Sequence, residues 1–487
     1  MGSSPEPVET SSFLSLTGAL ATSIKGHRIQ PEHTKSLPTF YRNLEEALDT
    51  KRASDSFYAT LPTGGPDHAG SVDFSSGDVM SMARNPEHRK EFLAELATHP
   101  EFALGTTSTR LMDGNYSYIE KAEADIAAFH GVEAGLIVHS GFEANVVIWT
   151  TIPKQGDVIV YDDSVHASTN DGIRQSMATD RVAFPHNDVD AFRGTLRDIL
   201  ATRPLVRQGK RSVLVAVESI YSMEGDICPL QELLDASQDV FQDHQGGIQF
   251  VVDEAHSGGW IGPGGRGLVC ELGLEKEIAV VMHTFGKATG AAGAIILGSK
   301  SIRDTAINFG RPIMFSTAPT FPFVAAITSG CKVLSTKDHD RQRIQDMSRL
   351  FFELLTSHEL WETAKSKGIL RVPLADGWED RVVNTHLLAI FTRPKSFWWM
   401  YYHLLSAGYR TFPASYPAVP PGQSRLRVII HAHNTEEQVE GFVDAIYAWV
   451  QEMLDIEAGT ATGTVTKAAK EVYDLMRREQ VTGFGIV

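Results

Sequence analysis

Near the middle of the chain the apolar residues Ala279-Val280-Val281-Met282 run into His283-Thr284-Phe285-Gly286-Lys287-Ala288-Thr289-Gly290. A lysine just past an apolar strand, with a hydroxyl three residues ahead and glycines on both sides, can present its amine to a flat ligand that backbone approaches closely. Taken alone, a solvated lysine after a glycine turn would look the same. Upstream, Gln249-Phe250-Val251-Val252 is a short apolar run that ends in Asp253-Glu254-Ala255-His256-Ser257-Gly258. A carboxylate and an imidazole thus emerge together at the end of a buried strand. An aspartate there is otherwise a helix cap. Pyridoxal phosphate is a flat ligand whose chemistry uses such an amine and such a carboxylate. A carboxylate paired with the ring nitrogen keeps the pyridinium protonated, and the ring then accepts electrons from a carbanion at a substrate α-carbon.

The elements around these residues must bring them together. The interval from Asp253 to Lys287 has room for a turn, a helix and the next strand of a parallel sheet. Both residues then sit at the carboxyl ends of strands, where open α/β sheets bind ligands. Ala134 to His139 reads as a strand, and Ser140-Gly141-Phe142 as the turn opening a helix at Glu143. That arrangement offers free N–H groups and a positive dipole end to a phosphate, although it is also the commonest way to join a strand to a helix. Further strands are expected at Val158 to Tyr161, Ser212 to Val217 and Ala294 to Leu297, then at His386 to Phe391 and Arg425 to His433. Strand alternation points Arg425 and Arg427 to one face. A fixed arginine there offers the two-pronged grip a carboxylate needs, with Arg427 the first choice and Arg425 the second.

Several segments agree in order and spacing with one family. Asp253-Glu254-Ala255-His256-Ser257-Gly258, then Gly262-Pro263-Gly264-Gly265-Arg266-Gly267, then Thr284-Phe285-Gly286-Lys287 resemble the α-oxoamine synthases. The likeness extends from about Asp73 to His433. It implies a fold-type I pyridoxal phosphate transferase: an α/β large domain with a mostly parallel sheet flanked by helices, and a smaller C-terminal α+β domain. The domains are expected at 71–336 and 337–453, with a partly disordered, then helical arm over 1–70 and a helical extension over 454–487.

The resemblance also implies roles. Lys287 carries the cofactor, Asp253 meets its ring nitrogen, and His166, in His166-Ala167-Ser168, stacks on the ring. His256 and Ser222 approach its phenolic oxygen, and Thr284 flanks the site. Gly141 and Phe142 hold the phosphate, while Ser316 and Thr317 reach the phosphate of a neighbouring subunit, which makes a homodimer with shared sites obligatory. Arg110, in Gly105-Thr106-Thr107-Ser108-Thr109-Arg110, either meets an acyl-chain or carrier phosphate or lies on a solvated loop. Phe184-Pro185-His186-Asn187-Asp188 matches as a structural turn. The chain departs from the pattern at Gly77 and Val79, where relatives carry an asparagine and an aromatic, and at Thr107, Ser108, Tyr116 and Glu224. Most of these departures lie on the substrate side and suggest a specialised member.

The implied reaction is condensation of an α-amino acid with an acyl thioester, on coenzyme A or an acyl carrier protein, with loss of carbon dioxide to give an α-amino ketone. An aldolase or aminotransferase on the same scaffold would use the same lysine and aspartate. Composition agrees with an enzyme of this kind. The 487 residues carry a formal net charge of −16, which gives no basic surplus for nucleic acid. Three scattered cysteines, Cys228, Cys270 and Cys331, form neither a disulfide framework nor a metal-spaced set, and no metal is expected. No stretch approaches the roughly 18 apolar residues of a membrane span. The N-terminus has no basic lead, so cytoplasm is the expected location.

Overall fold

A computed structural model of the chain describes residues 24, 26–54, 56–57, 71–242, 247–394 and 396–481. The disordered start expected over 1–12 and the proline-glycine break at 62–66 lie outside them. The chain divides into two units, Met1–Ser76 with Ile344–Val487, and Gly77–Arg343. The division falls inside the helix Asp338–Ser357, a few residues beyond the boundary expected from the sequence.

The strands in chain order are β1 (Val72–Asp73), β2 (Ala134–Val138), β3 (Val158–Asp162), β4 (Asp180–Phe184), β5 (Val213–Glu218), β6 (Ile248–Asp253), β7 (Ile278–Thr284), β8 (Ala294–Gly298), β9 (Leu387–Ile390), β10 (Tyr409–Arg410), β11 (Phe412–Ala414) and β12 (Arg425–Ile429). In Gly77–Arg343 seven of them form one sheet in the order β2-β8-β7-β6-β5-β3-β4. Only β8 runs against its neighbours. Every residue of β5 is buried, as a parallel strand covered on both faces requires. Alternation splits the apolar residues between two cores. Val158, Val160, Val213, Val215, Phe250 and Val252 face one side, and Ile159, Leu214, Ala216, Val251, Val280 and Met282 the other. Phe250 is essentially unexposed, so its truncation to Ala would cost roughly 3–5 kcal/mol.

β4 was not anticipated from the sequence. Its residues are mostly half-buried or exposed, the pattern of the sheet edge it occupies, and it lacks the long apolar run of the inner strands. The helix after β2 begins at Gly141, two residues earlier than expected, because the Ser140 hydroxyl accepts the Glu143 N–H at 3.1 Å and caps it.

In the other unit β11, β12 and β9 form an antiparallel sheet, and β1 pairs with β10. β12 stops at Ile429, short of His433, because the His431 N–H turns to the Asn434 side chain at 2.7 Å. Thr435 and Gln438 then close a capping box that starts the helix Glu436–Ala458. The C-terminal helix Lys467–Glu479 buries Tyr473 and Met476 in the core of this unit, and the Trp399 indole N–H donates to the Tyr473 hydroxyl at 2.6 Å. Among the described residues no helix is long and apolar enough to cross a membrane.

Candidate active site

The parallel register aligns Glu218 of β5 with Asp253 of β6, and Asp253 with Met282 of β7. Three strand ends therefore open at one edge of the sheet, and Lys287 follows three residues past the last. The Lys287 loop is folded back on itself. The Thr284 hydroxyl donates to the Gly293 carbonyl at 3.1 Å and accepts the Gly286 N–H at 3.2 Å, while Gly290 N–H closes on the Lys287 carbonyl at 2.9 Å.

Lys287 Nζ lies 2.7 Å from His256 Nε2. His256 is buried, and the Trp260 indole N–H donates to its carbonyl at 2.6 Å, so the imidazole starts from a fixed backbone. The glycine-rich stretch after it returns beneath Glu254. A Cβ on Gly267 would come within 2.2 Å of Glu254 Oε2, and φ there is +99°, so only glycine fits. Glu254 in turn accepts the Val269 N–H at 2.9 Å.

Asp253 is buried. Its Oδ1 accepts the Ala255 N–H at 2.9 Å and its Oδ2 the Asn145 amide at 2.8 Å. His166 Nδ1 lies 2.7 Å from the Ser168 hydroxyl. Burial pushes the His166 pKa below its ordinary value, opposed by Asp253 and assisted by Lys287. Glu218, fully enclosed, accepts the His166 backbone N–H. Burial, then the neighbouring Asp253, holds the Glu218 carboxyl well above the usual range. At the helix start, a Cβ on Gly141 would lie 3.5 Å from Thr284 Oγ1, so the first turn of the helix and that hydroxyl border one space. Phe142, half exposed, meets the His166 ring edge-on at 6.5 Å.

Lys287, Asp253, His256, His166, Gly141, Phe142 and Thr284 are thus gathered at one end of one sheet. Ser222 sits half-buried in the loop after β5. Ser316 and Thr317 are exposed on the loop after the helix Arg311–Phe315. That loop is tied to the 105–116 segment: Ala318 N–H donates to the Ser108 carbonyl at 2.9 Å and the Thr106 hydroxyl to the Ala318 carbonyl at 2.7 Å.

The arginines are a different matter. Arg110 does not lie on a solvated loop, and its guanidinium is engaged within its own unit. It is buried, with Nη1 and Nη2 at 2.6 and 3.0 Å from the two Glu123 oxygens and Nε donating to Asn115 at 2.8 Å. A glutamate on the buried face of the helix Ser117–Phe129 was the signal in the sequence that such a partner existed. In the other unit Arg425 is 1% exposed, stacked on Phe391 at 4.7 Å and donating to the Gln423 carbonyl at 3.0 Å. Arg427 is half-buried over Phe412. Sequence reasoning also missed Asn145 and Glu218, polar residues inside otherwise apolar buried segments.

The aminotransferase class I and II family matches residues 70–446. Aminoacyl transferase sphA of Byssochlamys spectabilis is 44% identical over 463 residues, spanning 95% of this chain and 98% of that protein. The 8-amino-7-oxononanoate synthase of Emericella nidulans is 37% identical over 391 residues, 79% of this chain and 90% of that one. Among solved structures, a serine palmitoyltransferase from S. paucimobilis with a bound PLP–myriocin aldimine matches with a TM-score of 0.68 at 25% identity, over 85% of this chain and 99% of that chain. The chain therefore belongs to the aminotransferase class I and II family and, within it, to the α-oxoamine synthases.

Proposed function

We propose that this chain is a pyridoxal phosphate-dependent acyltransferase that condenses an α-amino acid with an acyl thioester. The thioester C–S bond breaks, a C–C bond forms at the α-carbon, and the amino acid carboxylate leaves as carbon dioxide. The products are an α-amino ketone and a free thiol. The observation that carries the reading is the convergence of the Lys287 amine, the His256 imidazole 2.7 Å from it, and the Asp253 carboxylate at adjoining strand ends.

The residues fit the cofactor. A primary amine, a buried carboxylate held at both oxygens, and a helix N-terminus that starts on a glycine beside a threonine hydroxyl match its aldehyde, ring nitrogen and phosphate. Bound there, pyridoxal phosphate supplies an electron-poor ring that stabilises negative charge at the substrate α-carbon. Lys287 is assigned to hold it and, once displaced by the amino acid, to take the α-proton. An amine with an ordinary pKa of about 10.4 must shed its own proton for that task, and His256 Nε2 is within reach to accept it. Asp253 holds the ring nitrogen protonated, His166 covers one face, and Gly141, Phe142 and Thr284 anchor the phosphate. Ser222 is assigned with His256 to the phenolic oxygen. Of the two strand arginines, Arg425 is enclosed by its own unit, so Arg427 is assigned the substrate carboxylate.

A homodimer completes this reading, with Ser316 and Thr317 reaching the partner's phosphate site. The support is an apolar surface around that loop: Phe309, Phe315, Leu104 and Met112 are each at least 60% exposed. Light scattering, and recovery of activity on mixing inactive Lys287→Ala with inactive Ser316→Ala/Thr317→Ala subunits, tests the sharing. The three cysteines are free, which suits a reducing compartment, and the cytoplasm is the proposed location.

The activity is tested by giving the purified, pyridoxal phosphate-loaded protein a panel of amino acids with coenzyme A and carrier-protein thioesters. Carbon dioxide release with an α-amino ketone by mass spectrometry is expected, and the donor that supports turnover decides between coenzyme A and an acyl carrier protein. A keto acid or an aldehyde formed without carbon dioxide would replace this reading with transamination or aldol cleavage.

A further inference from the structure

Behind the groups assigned to the cofactor lies a side chain with no assigned role. Asn145 is one turn into the helix Gly141–Thr151 and 2% exposed; Ser168 is fully buried. One amide nitrogen of Asn145 reaches two acceptors, Asp253 Oδ2 at 2.8 Å and Ser168 Oγ at 3.0 Å. An ionised carboxylate has only lone pairs to offer, so the amide must present its NH2 group to Asp253. The same NH2 group then donates to Ser168, whose own proton is left to point elsewhere.

It points to His166. The Ser168 hydroxyl lies 2.7 Å from His166 Nδ1, and the Ser168 backbone N–H donates to that same nitrogen at 3.2 Å. A ring nitrogen that accepts from two donors carries no proton. His166 is therefore neutral, with its proton on Nε2. The titratable groups around it are Asp253, Lys287 and Glu218, and the burial that depresses its pKa acts in the same direction. The helix that begins at the phosphate-anchoring Gly141 thus also fixes, four residues later, both groups read as addressing the ring.

The geometry points to Asn145 as a positioning residue that orients Asp253 with one N–H and, through Ser168, fixes His166 as the neutral Nε2–H tautomer with the other. This rests on the reading of Asp253 and His166 given above. A packing role alone would need neither the shared nitrogen nor the relay through a buried hydroxyl.

Three variants separate the two arms: Asn145→Leu, of similar volume, Asn145→Ser, smaller and polar, and Ser168→Ala. In protein freed of cofactor, 15N NMR of labelled histidine follows His166. Loss of the Ser168 hydroxyl, or of the Asn145 amide that commits that hydroxyl to donating, favours the proton on Nδ1, so its titration moves up by about one unit in Ser168→Ala and in both Asn145 variants. Binding of pyridoxal phosphate, measured by absorbance and equilibrium dialysis, weakens about tenfold or more in the Asn145 variants, which lose the charge-assisted bond to Asp253. Ser168→Ala binds it within about threefold of wild type. Folding is checked by circular dichroism, and Asn145→Ser carries the test where Asn145→Leu does not fold. Asn145 variants with wild-type cofactor affinity and an unmoved His166 titration would overturn the proposal. A wild-type protein that never takes up pyridoxal phosphate would instead overturn the functional reading, while the cofactor-free titration still reports on the relay.

Discussion

Two strand ends in the same sheet are built from the same ingredients, and their histidines shift in opposite directions. At the end of β3, the buried Asp162 accepts from His186 Nδ1 at 2.9 Å, and His186 Nε2 reaches Asp226 at 2.9 Å. Burial disfavours the imidazolium, yet the two carboxylates outweigh it and raise the His186 pKa to about 10. At the end of β6, Asp253 also lies among imidazoles, but a neutral amide occupies its Oδ2, and His166 accepts protons at Nδ1. Its pKa falls. Asp162, Asp163 and His186 come close enough to suggest a metal site, but both His186 nitrogens are already bonded to carboxylates. The β3 end is a closed ion triad with its charges spent internally. The β6 end keeps a carboxylate and an amine for something else. A histidine beside an aspartate is therefore no guide to chemistry until the partners of its second nitrogen are known.

The comparison breaks most sharply at the β6 end. Lys287→Ala should abolish both turnover and the absorbance of covalently held cofactor; a variant retaining both would end the assignment. Asp253→Asn keeps the side-chain volume and the Ala255 N–H bond but sets an NH2 group against the Asn145 amide, which must turn its oxygen to it; the variant should still fold and lose about 10²–10⁴-fold in kcat. A melting temperature that falls in step with activity would make Asp253 another structural carboxylate, like Asp162.

Arg110 and Glu123 test the internal kind of charge. Glu123 receives Arg110 at 2.6 Å, Arg303 at 3.3 Å and the Ile137 N–H at 2.8 Å. Glu123→Gln strips the compensating charge from a buried guanidinium and should cost about 3–5 kcal/mol by chemical denaturation. The KM for the acyl thioester should not change. A raised KM at unchanged stability would return Arg110 to the substrate.

These contrasts mark what could be read from the residues and what could not. The buried runs in Ile248–Asp253 and Ile278–Thr284 carry the sheet, because a parallel strand needs a continuous apolar segment, and Asp253 and Lys287 sit where those segments stop. Edge strand β4 left no such mark. Arg110 and Arg425 were misleading because a guanidinium looks the same in sequence whether it meets a ligand or a buried partner. Arg110 is spent on Glu123, and Arg425 on Phe391 and Gln423. Asn145 was passed over because its partners, Ser168 and Asp253, are distant in the chain, and only the fold brings the three together.

His186 gives a smaller effect with a distinctive pH signature. Its folded pKa of about 10 lies above the ordinary 6.5. The stabilisation is therefore complete below about 6.5 and is lost as pH rises through about 10. The melting gap between wild type and His186→Gln should be widest near pH 6, corresponding to about 3 kcal/mol, and should close toward pH 10. A gap independent of pH would mean that the triad is not ionic and that the two strand ends differ less than their geometry indicates.

The smallest effect is expected at Gly77, which bears on the lysine arm without carrying charge. A Cβ built on this residue lies 3.3 Å from Lys287 Cγ and 3.9 Å from Lys287 Cβ, tighter than a relaxed contact but short of a clash. Gly77→Ala therefore costs little stability and instead nudges the arm whose amine sits 2.7 Å from His256. Displacement of the amine by a few tenths of an ångström is felt where a proton moves between positioned groups. The expected result is a severalfold fall in kcat, well under the roughly 100-fold that gross misplacement brings, with the melting temperature unchanged. If Gly77→Ala changes neither, the lysine arm is looser than the 2.7 Å contact implies, and the order of the β6 end resides in its carboxylate and imidazoles alone.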